Sequence, residues 1–252
     1  SFYRVMRKHH EMVHRGRAKP PQRRAKPTTY QATAPNQVWS WDCTWLGGPI
    51  KGQHYYLVMM VDIFSRKITS WEVFLAESAY NSRTVLERAV LAERIIDQPL
   101  VLHADNGSPF KGATLLEKLH ELGITPSFSR PRVSNDNPYS EALFRTCKYR
   151  PCYPTDGFAT LDNAREWVAG FVQWYNHEHR HSGIRLVTPA QRHAGEDKEV
   201  LAKRHVINQA ARDANPARWS GKTRNWTPIG TVSLNPEREL QVTVAEPEKQ
   251  VA

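Results

Sequence analysis

The chain has 252 residues, enough to bury a substantial core, and carries 35 lysines and arginines against 25 aspartates and glutamates, a formal net charge of +10. That surplus favours a polyanionic partner, nucleic acid ahead of an acidic membrane surface. The longest apolar run, Tyr55 to Val61, stops at Asp62, far short of the ~20 residues a spanning helix needs. Cys43, Cys147 and Cys152 form no Cys-x-x-Cys pair, which supports neither a disulfide framework nor a cysteine-built zinc site. A soluble, intracellular protein with free thiols, and no membrane partner, is expected.

Residues 1–34 hold nine basic residues against one acidic residue, Glu11, and include Pro20, Pro21 and Pro27, the composition of a basic linker or arm. From Pro35 the pattern changes. Trp39, Trp41, Cys43 and Trp45 alternate with Ser40, Asp42 and Thr44, predicting a strand with its tryptophans packed together opposite Asp42. His54 to Asp62 is a near-continuous apolar run, predicting a central strand covered on both faces, and Ile68 to Phe74 predicts a third. Between them, Asp62 is expected to end a strand and pair with Arg66. A helix follows over Asn81 to Ile96, with Val85, Leu86, Ala89 and Val90 at helical spacing.

Pro99 to Leu102 predicts a short buried strand running into His103-Ala104-Asp105, which Asn106-Gly107 ends as a turn pair. Leu115, Leu116, Leu119 and Leu122 mark a helix closed by Gly123, and Ile124 to Phe128 a further strand. Three strands, helix, strand, helix, strand is the order of a mixed α/β sheet. After a polar loop from Ser129 to Asn137, Asn137 is suited to cap a helix, Pro138 to open it, and Glu141 falls in its first turn. Asp136 is expected to order that loop or cap the helix. Glu141, Arg145 and Lys148 share one stripe, while Leu143, Phe144 and Cys147 share another. A last helix is predicted over Leu161 to Tyr175.

Asp42, Asp105 and Glu141 thus stand at a strand middle, a strand end and a helix start that converge on one sheet edge. Three close carboxylates repel one another unless a cation neutralises them, and hard oxygen ligands suit Mg²⁺ or Mn²⁺. Two ions would serve in-line phosphoryl transfer without a covalent protein intermediate. His177-Glu178-His179-Arg180-His181 also fits the H-E-x-x-H form of zinc peptidases. Asn176 and Ser182-Gly183, however, mark a helix end there, and a catalytic zinc is not expected.

Trp41-Asp42-x-Thr44, Tyr56 to Asp62-x-x-Ser65-Arg66-Lys67-Ile68, His103-Ala104-Asp105-Asn106-Gly107-Ser108 and Asn135-Asp136-Asn137 before Glu141 resemble the integrase-core transposases of bacterial insertion sequences, the orfB type above all. Asp105 and Glu141 are separated by 35 residues, the spacing shared with retroviral integrases, and Lys148 matches the family's basic residue seven places on. Trp174-Tyr175-Asn176, His181-Ser182 and Thr188-Pro189-Ala190 resemble the close of the same core. The chain departs from the pattern at Val133, where many relatives have glycine, and at Tyr149-Arg150, where an acidic residue is common.

The resemblance implies a ribonuclease-H-like, five-stranded mixed sheet over residues 35–195, with basic extensions at 1–34 and 196–252. It implies catalytic and metal-binding roles for Asp42, Asp105 and Glu141, two Mg²⁺ or Mn²⁺ ions, no small-molecule cofactor, cleavage at DNA element ends and strand transfer. A bacterial cytoplasmic protein is expected, acting as a homodimer or larger assembly on double-stranded DNA. Ser1-Phe2-Tyr3-Arg4 is similar to the close of a helix-turn-helix region, so such a domain is expected upstream. DNA contacts are expected from Arg145 and Lys148, from Arg130 and Arg132 in the loop, and from Arg218, Lys222 and Arg224 around Trp219 and Trp226, where a docked tail is the other reading. The alternatives are an inactive domesticated DNA-binding protein and a nuclease of the same fold without strand transfer.

Overall fold

A computed structural model describes residues 2–9, 11, 28–95, 98–105, 107–130 and 136–236. The first elements are α1 (Phe2–Lys8), β1 (Tyr30–Ala32), β2 (Val38–Gly47), β3 (His54–Asp62), β4 (Ile68–Phe74), α2 (Ala79–Ala92) and β5 (Val101–Ala104). There follow α3 (Ala113–Glu121), β6 (Thr125–Phe128), α4 (Pro138–Lys148), α5 (Leu161–His177), α6 (Pro189–His193), α7 (Asp197–Ala214) and β7 (Val232–Leu234). Five strands form a mixed sheet in the order β4-β3-β2-β5-β6, antiparallel from β4 to β2 and parallel from β2 to β6.

The strand sequences dictate a layer of helices on each face. In β3, Val58 and Met60 point into a core with Trp39, Trp41, Val85, Leu86, Leu115 and Leu119. Leu57, Met59 and Val61 point the other way, to Leu143, Phe144, Val168 and Phe171. α2 and α3 therefore cover one face and α4 and α5 the other, as the unbroken apolar run of β3 requires. Ser78 caps α2 by accepting from the Asn81 amide, and Gly123 takes φ +65° just past α3, where a left-handed residue is needed.

Three expected contacts are replaced by others. Trp45 is 56% exposed, because β2 outruns β5, which pairs only with Val38 to Ser40; its ring stacks on His54 instead. Asp62 accepts from the Phe64 amide and the Ser65 hydroxyl, while Arg66 turns away and lies 4.2 Å from the Tyr139 ring centroid. Asn137 makes no side-chain cap, since its carboxamide is engaged with β2.

Hydrophobic periodicity announces none of α6, α7 and the β1–β7 ribbon. α6 opens with a capping box between Thr188 and Gln191. α7 buries only Asp197 and Leu201, too narrow an apolar stripe to announce a helix by periodicity. β7 pairs antiparallel with β1, and this ribbon packs Ala32, Val232 and Leu234 on Val38 and Ile63. Arg192, fully buried, fastens this region: its guanidinium donates to the Phe64 carbonyl at 2.7 Å and the Ile229 carbonyl at 2.8 Å and meets Asp197 at 3.4 Å.

Candidate active site

Asp42 lies in the middle of β2, Asp105 directly follows β5, and Glu141 stands in the first turn of α4. Because β2 and β5 run parallel with Ser40 opposite His103, Asp42 and Asp105 each lie two residues further toward the same end of the sheet. α4 packs across β2 through Leu143, Phe144 and Cys147, which leaves Glu141 and Arg145 exposed and Lys148 half-buried on its other side. The stripe expected from helical spacing is present.

The charges on Asp105 and Glu141 reach Asp42. Burial first, then those two carboxylates and that of Glu77, push Asp42 up to about 7, although the Cys43 amide donates to its Oδ1 at 2.8 Å. Asp105 likewise accepts from the Gly107 amide at 2.8 Å. Glu141 is raised above the ordinary carboxylate value by partial loss of solvation. Among the described residues no three His, Cys, Asp or Glu side chains are grouped so as to hold a metal ion as they stand. Two of the three acids, Asp42 and Asp105, are instead turned onto neighbouring backbone N–H groups. The donor set still suits a hard divalent cation: oxygen ligands only, and in Asp42 a carboxyl raised first by burial and then by the negative charges of Asp105, Glu141 and Glu77.

Glu77 is the acid that sequence reasoning missed. It stands between β4 and α2, where its charge acts on Asp42 and Cys43, and lines a small cavity with Cys43, Tyr56, Phe74 and Phe110. No motif marks it; only the fold brings it toward Asp42.

The expected basic contacts fall in different settings. Arg130 is held by Asp136, its Nε and Nη2 each 2.9 Å from a carboxylate oxygen, and its amide donates to the same carboxylate at 2.8 Å. Arg132 lies outside the described residues, as does Val133. Arg218, Lys222 and Arg224 are exposed, while Trp226 packs on the small core of Ile184, Val187 and Leu201 with Arg204 and Arg224 near its ring. The docked-tail reading thus holds for Trp226. α5 stops at His177, so His177 and His181 share no helical face. Burial and the nearby Arg66 push His181 down to about 4.

Two family models, each described as an integrase core domain, match residues 32–134 and 122–189. The chain is 31% identical over 162 residues to the transposase for insertion sequence element IS904 of Lactococcus lactis, covering 64% of this chain and 62% of that protein. It is 26% identical over 166 residues to a putative transposase for IS986/IS6110 of Mycobacterium tuberculosis, covering 63% and 58%. The match therefore spans less than two thirds of these relatives' length. Among solved structures, a simian T-cell lymphotropic virus intasome bound to a PP2A regulatory subunit superimposes with TM-score 0.50 at 18% identity, over 69% of this chain and 60% of that one. That likeness concerns the fold, which is ribonuclease-H-like. With acid-bearing strands and helix laid out as described, and with the two integrase-core models together spanning residues 32–189, the first over Asp42 and Asp105 and the second over Glu141, the chain belongs to the integrase-core family that includes the transposases of bacterial insertion sequences.

Proposed function

We propose that the chain is the catalytic core of a DNA transposase that cleaves a phosphodiester at an element end and joins the freed 3′-hydroxyl to a target strand. The observation that carries this reading is the placement of Asp42 within β2, Asp105 at the same end of the parallel β5 and Glu141 in the first turn of α4, near enough that the charges of Asp105 and Glu141 act on the buried Asp42. Asp42, Asp105 and Glu141 would hold two Mg²⁺ or Mn²⁺ ions. When bound, such ions activate the attacking oxygen and stabilise the departing one. The protein's own part is to aim three carboxylates at one place and to hold the DNA backbone there. Arg145 and Lys148, on the stripe of Glu141, are the proposed phosphate contacts nearest the chemistry, and Arg218, Lys222 and Arg224 the outlying ones. Arg132 is proposed alongside them, whereas Arg130 would have to share its guanidinium with Asp136.

The catalytic unit is taken as residues 35–195, with 1–34 as a basic arm and 196–252 as a basic extension that also braces the core. Two element ends must be joined, so a homodimer or larger assembly on DNA is proposed, in a bacterial cytoplasm. Among the described residues no helix is long and apolar enough to cross a membrane.

Incubation of labelled element-end DNA with the protein and Mg²⁺ should yield joined strands. Asp105→Asn should abolish joining while DNA binding persists. Retained joining in Asp105→Asn would refute the assignment, and cut strands without joined product would indicate a nuclease.

A further inference from the structure

We propose that the Asp136-Asn137 dipeptide, held by His103 and Ser40, is the positioning device that sets Glu141 against Asp42 and Asp105. This rests on the transposase reading above and adds to it the residues that align the three acids.

The need for such a device follows from the topology. Asp42 and Asp105 belong to strands whose relative position is fixed by a backbone ladder, Ser40 opposite His103. Glu141 belongs to a helix outside that ladder, packed on the sheet through Leu143, Phe144 and Cys147. Apolar packing is non-directional and tolerates sliding, whereas hydrogen bonds fix direction and distance.

The hydrogen bonds that supply direction all meet at 136–137. Asn137 Nδ2 donates at 3.1 Å to the carbonyl of Trp41, the residue immediately before Asp42. Its Oδ1 accepts from the Ser40 hydroxyl, whose oxygen also lies 2.7 Å from that of Ser140, the residue before Glu141. The Asn137 carbonyl accepts from the Glu141 amide at 3.3 Å. From the other strand, His103 Nε2 lies 2.9 Å from the Asp136 carbonyl. A carbonyl only accepts, so Nε2 carries the proton and Nδ1 accepts from Ser127 Oγ at 2.9 Å. Ser40, His103, Asp136, Asn137 and Ser140 are all at most 3% exposed. One buried dipeptide thereby touches the strand of Asp42, the strand of Asp105 and the helix of Glu141. Buried polar groups satisfied in this way hold a single arrangement, and misplacement by about 1 Å in an active site costs on the order of 100-fold in rate.

The test uses the full chain, with calorimetric titration of Mn²⁺ in the absence of DNA, thermal melting, and kcat and KM for strand transfer on an element end. Asn137→Ala and His103→Ala should lose about 10- to 100-fold in kcat with KM for DNA within about threefold of wild type, and should bind Mn²⁺ at least about tenfold more weakly. His103→Gln, which restores a donor at similar reach, should recover most of the kcat that His103→Ala loses. If Asn137→Ala does not fold, Ser40→Ala, which removes only a hydroxyl, should show the same split between kcat and KM. Folded variants with wild-type Mn²⁺ affinity and kcat, or with a lower melting temperature as their only defect, would overturn the proposal. Asp42→Asn is run beside them. If it joins strands, the transposase reading itself fails; if it is inactive while the bridge variants behave as wild type, only the positioning role fails.

Discussion

At Asp42 several influences act on one carboxyl: burial, the charges of Asp105, Glu141 and Glu77, and a single opposing hydrogen bond from the Cys43 amide. The folded pKa of about 7 lies above the ordinary 3.8, so the native state favours the protonated form. The destabilisation is absent below pH 3.8, grows as pH rises from there to about 7, and is constant above that. In metal-free protein at pH 8, Asp42→Asn should therefore melt higher than wild type by a few degrees, about what ~1 kcal/mol produces in a chain of this size. The gain should disappear near pH 4. A variant melting no higher than wild type at pH 8 would mean that an ionised Asp42 carries no penalty in the folded state, from burial or from its acidic neighbours. Each of the three acids was legible beforehand from its place in a strand or helix pattern. Glu77 was not, because its approach to Asp42 depends on how the β4–α2 connection folds back.

Between elements, a dense polar junction joins the β3–β4 turn, the end of α2 and α6. His193 lies 2.8 Å from Glu93 through Nε2 and 3.3 Å from Asp62 through Nδ1, and Lys67 reaches Glu93 at 2.7 Å. Burial alone would lower the His193 pKa, but its hydrogen bonds to Asp62 and Glu93 raise it on balance. Glu93 moves the other way: burial opposes ionisation, yet His193 and Lys67 bring it down to about 2. A histidine raised above 6.5 stabilises fully below that value and loses the contribution as pH rises through its folded pKa. A glutamate lowered from 4.5 stabilises above 4.5 and loses its contribution as pH falls toward 2. The junction is therefore strongest between about pH 4.5 and 6.5. The deficit of His193→Gln in urea unfolding should be largest there, about 1–3 kcal/mol, and should shrink by pH 9. A deficit that does not change with pH would assign His193 to packing alone. Neither partner of this junction stands out in the sequence, since Glu93 and His193 are separated by a hundred positions. Asn137 shows the same limit from another side: its place before Pro138 has the form of a cap, but a nearby strand offered its carboxamide better partners.

Over the whole molecule, the net charge of +10 and the exposed Arg145, Arg218, Lys222 and Arg224 lead to an expectation about DNA. Binding that rests on phosphate contacts releases counterions, so affinity for an element end should fall by about tenfold or more between 50 and 200 mM salt. Affinity that does not change with salt would rule out a phosphate-based interface. The C-terminal region also packs on the rest of the fold: Leu201 of α7 and Trp226 on Ile184 and Val187, and β7 on β1, with Arg192 donating to the Ile229 carbonyl.

The sequence alone determined the succession of strands and helices along the chain, the two-faced burial of β3, and the placement of Asp42 in a strand, Asp105 at a strand end and Glu141 at a helix start. These depend on local periodicity and on turn residues, which a linear string records. Tertiary structure decided the exposure of Trp45, the approach of Glu77, the junction at His193, the bridge at Asn137 and the docking of α7 and β7. Each of these depends on which distant partner a polar or half-apolar side chain meets, and that choice is made only when the layers close.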